Sequence, residues 1–145
     1  MQELFKKILT SRVYEAAIET SLDEATALSA QHGNRILLKR EDQQPVFSFK
    51  LRGAYNKLAH LSQEERERGV ITASAGNHAQ GVAFAARKLG VRALIVMPKT
   101  TPKIKIDAVK RFGGEVVLSG NNYSEAASHA ERLTSETHMV FVHPF

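Results

Sequence analysis

Lys50 stands in the segment Ser48-Phe49-Lys50-Leu51-Arg52-Gly53-Ala54, just beyond a break at Pro45. The pattern places it in the first turn of a helix. A primary amine attacks carbonyl carbon and forms imines, so Lys50 is a candidate nucleophile for aldehyde chemistry. Phe49 beside it has the shape to cover an aromatic ring. By spacing alone, an ordinary lysine on an amphipathic helix fits these residues better. The second candidate is the loop Ser74-Ala75-Gly76-Asn77-His78, which follows the apolar run Val70-Ile71-Thr72-Ala73. Its small residues let a ligand come close to the backbone, Ser74 brings a hydroxyl and Asn77 an amide. The helix that follows turns its N–H groups toward any anion at its start, so the loop reads as a carboxylate or phosphate cradle. A tight turn that merely caps a helix fits the same residues. His78 reads as a packed or capping residue and not as a general base.

Other chemistries lose their usual support. The fingerprints GxGxxG and GxxxxGK[ST] are absent, and so is a GxSxG elbow. With no cysteine, thiolate metal sites and a cysteine nucleophile are excluded, and the six histidines show no HExxH spacing. The net charge of +5 is dispersed along the chain. Its densest group, Lys99, Lys103, Lys105, Lys110 and Arg111, is joined by one aromatic, Phe112, which suits a solvated helix face better than a nucleic-acid surface. No apolar run approaches the roughly 20 residues of a membrane span. We therefore expect neither nucleic acid nor membrane as a partner, and a cytoplasmic location.

The elements that must position these residues are legible beyond residue 48. Apolar runs at 70–73, 93–97, 116–118 and 139–142 read as strands, and residues 79–89, 101–112 and 124–136 as helices between them. Ser48 is placed to cap the helix that carries Lys50 and runs to residue 61. Pro102 sits where a first-turn proline costs little. Short apolar runs alternating with longer helices mark βαβ units, and continuous apolar strands are buried on both faces. The fold class is α/β, a parallel sheet with helices on both faces. Before residue 45 the pattern is irregular: helices at 2–9 and 22–31, then a strand at 36–38. With 145 residues, 43% hydrophobic and 24% charged, the chain has the composition of a globular domain.

Several segments in order carry a resemblance to a known family. Lys39-Arg40-Glu41-Asp42, Gln44-Pro45-Val46, the segment from Ser48 to Tyr55 and that from Val70 to Gly81 resemble the amino-terminal part of the biosynthetic threonine dehydratases (threonine ammonia-lyases). These are fold-type II pyridoxal-phosphate enzymes, and the likeness runs from about residue 11 to 145. It implies a lyase of isoleucine biosynthesis that converts L-threonine to 2-oxobutanoate and ammonia. It implies pyridoxal 5'-phosphate as cofactor, held covalently by Lys50, which also serves as the base at the substrate's Cα. Asn77 would bond the cofactor's phenolic oxygen, Phe49 would pack by its ring, and Ser74, Ala75, Gly76, Asn77 and His78 would bind the substrate carboxylate. Residues 1–47 would belong with a larger cofactor domain, and 48–145 would form a small α/β domain.

The resemblance also carries departures. Thr20-Ser21-Leu22 stands where the family commonly has Thr-Pro-Leu. The family's glycine-rich phosphate loop, its partner for the pyridine nitrogen and its regulatory domain all lie beyond the equivalent of residue 145. The expectation is therefore a fragment, inactive alone, of a parent that is a homo-oligomer and takes a small amino acid as substrate. Segment 36–38 would lack its packing partner. Two alternatives stay open: a related serine dehydratase or racemase, and a non-catalytic remnant or interaction module. Ala75 disfavours the serine reading, because serine racemase-like members tend to carry a second serine there.

Overall fold

The computed structural model describes residues 1–144. Its first third holds short elements: α1 (Gln2–Leu9), β1 (Leu22–Glu24), α2 (Thr26–His32) and β2 (Leu37–Lys39). The expected helix at 22–31 is thus split. Leu22–Glu24 pairs antiparallel with β2, Leu22 opposite Lys39, and helix begins only where that ladder ends. A distant partner strand overrides the local pattern here. Gly33, at φ 58, closes α2 in the left-handed conformation that glycine adopts without penalty. Leu37 and Leu38 are exposed and Ile36 is half-buried.

From residue 50 onward elements alternate: α3 (Lys50–Ala59), α4 (Gln63–Arg68), β3 (Val70–Ala73), α5 (Asn77–Leu89), β4 (Ala93–Met97), α6 (Lys103–Arg111), β5 (Glu115–Leu118), α7 (Tyr123–Thr137) and β6 (Val140–Phe141). The charged run before Gly69 is helical because Ser62 and Glu65 form a capping box. Ser48 does not cap α3. Phe49 occupies the N-cap, and the Ser48 hydroxyl is buried without a partner among the described residues. Pro102 stands one position before α6, as its N-cap.

The four later strands form one parallel sheet in the order β5-β4-β3-β6, with Val70 opposite both Ala93 and Val140. Alternation sends Val70, Ile95 and Met97 toward α3, α5 and α6, and Ile71, Leu94 and Val96 toward Ala126 and Ala130 of α7. Helices therefore cover both faces, as the apolar runs require. The larger core is continuous with the first third of the chain, since Ala17 and Val46 belong to the same cluster as Leu51 and Val82. The carboxyl ends of β3 and β6 and the start of α3 converge on one side of the sheet.

Candidate active site

Lys50 is the first residue of α3, and the chain is held firmly on its way there. Gln44, fully buried, accepts from the Ile18 N–H at 3.0 Å and donates to the Ile18 carbonyl at 2.9 Å, acting as a strand partner. Phe47 then takes φ 56, a conformation that costs a side-chain-bearing residue energy and persists where its surroundings impose it. Two residues past Lys50, Arg52 donates from two nitrogens to both oxygens of Glu41, at 2.8 Å each. The Arg52 bonds draw the Glu41 carboxyl down to about 2, with Thr20 and Gln44 assisting and partial burial opposing. These fixed contacts leave the half-buried Lys50 side chain a defined direction. Its Nζ donates to the Pro144 carbonyl at 2.7 Å and lies 5.4 Å from the centre of the Phe49 ring.

The loop after β3 is built as an open donor set. The Ser74 hydroxyl oxygen accepts from the N–H groups of Gly76 and Ala79, each at 3.3 Å, which fixes the turn internally. Among the described residues, the N–H groups of Ala75, Asn77 and His78 have no protein acceptor. Unpaired donors at the first turn of a thirteen-residue helix attract an anion. His78 is buried, with Nε2 3.2 Å from the Val142 carbonyl oxygen. Burial pulls its imidazole below the ordinary histidine range, and nearby Lys50 and His143 push the same way, against the Val142 contact. A carbonyl only accepts, so the neutral ring carries its hydrogen on Nε2.

Phe49, Lys50 and His78 share a cavity of about 470 Å³, closed on one side by Val142, His143 and Pro144 beyond β6. Among its described lining residues there is no carboxylate, while Lys57 adds a second amine two turns along α3. The site suits an anionic ligand that also carries a carbonyl group. Ser74, Ala75, Gly76 and Asn77 do not line this cavity; they adjoin it through His78. Gly53, Lys57 and the segment after β6 were not singled out by residue type. Gly53 and Lys57 follow Phe49 at four-residue steps, a helix stripe that spacing alone reveals. For the segment after β6 the only signal is the tendency of ligands to sit beyond strand carboxyl ends.

Comparison with known proteins bears on this geometry. The sequence model described as "Pyridoxal-phosphate dependent enzyme" matches residues 13–145. The biosynthetic L-threonine dehydratase of Burkholderia multivorans is 58% identical over 146 residues, covering 99% of this chain and 29% of that protein. The solved structure of processed threonine deaminase isoform 2 from Solanum lycopersicum superposes with a TM-score of 0.94 at 54% identity, over 99% of this chain and 40% of that one. Maize serine racemase follows at 0.90 and 32% identity, over 99% of this chain and 43% of that one. The chain thus spans under a third of the Burkholderia relative's length.

Proposed function

We propose, from the premise that the chain belongs to the pyridoxal-phosphate dependent enzymes, that it supplies Lys50 and the carboxylate-binding loop of a threonine dehydratase. The observation that carries this is the Lys50 amine, aimed into a cavity with no carboxylate among its described lining residues and adjoining three N–H donors that have no acceptor among the described residues. The relatives' names favour threonine over serine, since threonine dehydratase names attach to the 54–58% identities and serine racemase to 32%. Ala75 supports the same choice.

A cofactor aldehyde fits these residues: a primary amine, an adjoining aromatic face and room with no competing carboxylate among the described lining residues. Bound pyridoxal phosphate supplies the sink for the electron pair left when a proton departs from the substrate's Cα. Lys50 holds the cofactor and then takes that proton. The N–H groups of the Ser74–His78 loop bind the substrate carboxylate and orient the Cα–H bond. Phe49 packs by the cofactor ring, and Asn77 donates to its phenolic oxygen. Threonine loses its β-hydroxyl as water; a water molecule is then consumed as ammonia and 2-oxobutanoate leave. The reading extends to isoleucine biosynthesis by a cytoplasmic homo-oligomer, with residues 1–47 siding with a larger cofactor domain and 48–145 forming the small one.

Borohydride reduction in the presence of pyridoxal phosphate, followed by peptide mapping, tests the assignment. The label is expected on Lys50, and Lys50→Ala is expected to lose the label and nearly all dehydration in the complete enzyme. A label confined to another lysine overturns it. Faster turnover of serine than of threonine moves the substrate assignment to the serine-acting relatives.

A further inference from the structure

Gly81 is an anomaly in α5. It lies in the interior of a helix otherwise rich in alanine, where glycine is the poorest choice after proline. Its φ is not positive, so the backbone conformation does not call for glycine. The reason lies across the helix interface. A Cβ on Gly81 would stand 3.1 Å from the carbonyl oxygen of Lys50, 3.2 Å from its carbonyl carbon and 3.3 Å from the Leu51 nitrogen. All three are backbone atoms in the first turn of α3, and none can swing aside as a side chain does. At Gly53, the glycine inside α3, a Cβ would meet nothing within 4 Å.

We propose that Gly81 is a positioning residue for Lys50: its missing side chain seats the Lys50 peptide directly on α5. The consequence is a shared reference frame. The helix on which Lys50 rests also begins at the donor loop, and it carries His78 three residues before Gly81, on the same face and in the cavity with Lys50. The close approach at Gly81 is therefore one of the contacts that set the distance between the amine and the anion-binding loop. A methyl group there moves the first turn of α3 by a few tenths of an ångström. The long Lys50 side chain carries that shift to its Nζ and alters its contact with the Pro144 carbonyl. The inference rests on the role proposed above for Lys50.

The test reads the position of the amine first without cofactor. Trace acetic anhydride labels lysines in competition, and the ratio of Lys50 to the exposed Lys110 of α6 is compared in three proteins. These are the parent, Gly81→Ala, and Ala85→Gly, which weakens the same helix one turn further along from the Lys50 contact. Gly81→Ala is expected to change the ratio at least about threefold and to lower borohydride-trapped pyridoxal phosphate at Lys50 at least about tenfold, with an unchanged circular dichroism spectrum. Ala85→Gly is expected to lower the melting temperature and move neither reading. An unchanged ratio in folded Gly81→Ala overturns the proposal, as does an equal change in Ala85→Gly. If Gly81→Ala unfolds in buffer, all three are read in concentrated sucrose, which favours the folded state without altering the contact. Failure to fold there also counts against a local positioning role. A changed acetylation ratio in a protein whose parent takes no cofactor at Lys50 sinks the proposed function and leaves the positioning role of Gly81 standing.

Discussion

Asn77 separates binding from stability at the scale of one residue. It is exposed at the first position of α5, and among the described residues its side-chain amide has no partner. Removing that amide therefore leaves no protein group unsatisfied, and alanine is the better helix former. If the amide serves the cofactor's phenolic oxygen, its loss removes a hydrogen bond to a charged group, about 1.5–3 kcal/mol. Asn77→Ala is thus expected to weaken pyridoxal-phosphate affinity by roughly one to two decades with an unchanged melting temperature. Spectroscopic titration and thermal unfolding check the two halves separately. Lys50 and the Ser74–His78 loop stood out as candidates by residue type, being local features, but only the family resemblance raised them above an ordinary lysine and a capping turn. The roles of Gly81 and Pro144 did not stand out, since each depends on contact with Lys50 from a distant part of the chain.

Among the elements, α3 is held by a charged contact outside itself. Its first turn is tied to the 3-10 turn Glu41–Gln43 by the Arg52–Glu41 pair, with both side chains under a quarter exposed. The folded carboxyl titrates at about 2 against a reference of 4.5. The unfolded chain therefore takes up that proton at higher pH than the folded one. The stabilisation is whole above about 4.5 and is lost as pH falls toward 2. At neutral pH it amounts to about 3 kcal/mol. Glu41→Gln is expected to cost that much in urea unfolding at pH 7, and to differ little from the parent near pH 2. A penalty independent of pH contradicts the account. The same scale shows why β3 and β4, buried along their whole length, were legible and β1 was not. Buried strands of a parallel sheet are continuous apolar runs, whereas Leu22–Glu24 is a strand only because β2 lies beside it. The Ser62 and Glu65 capping signal was there to be read, but the charged run around it looks like a loop.

The whole molecule divides by packing at a different place from the division proposed for it by family likeness. No residue of α1 is buried, and Leu4, Phe5, Ile8 and Leu9 are each more than 60% exposed. Ala17 and Val46, by contrast, lie in the core shared with α3 and α5, and Gln44 is buried against Ile18. Burial is what converts apolar surface into stability, so α1 contributes almost nothing to the fold. Its unburied stripe instead adds apolar surface that favours association. Deleting residues 1–9 is expected to change the unfolding free energy by less than about 0.5 kcal/mol and to reduce self-association in sedimentation velocity. Deleting residues 1–47 removes Val46, Ala17 and the Glu41 partner of Arg52 together. That truncation is expected to unfold the region around α3, read as lost amide protection in its first turn. An intact, protected α3 in the 48–145 chain would show that residues 1–47 are a separate unit in folding as well as in architecture.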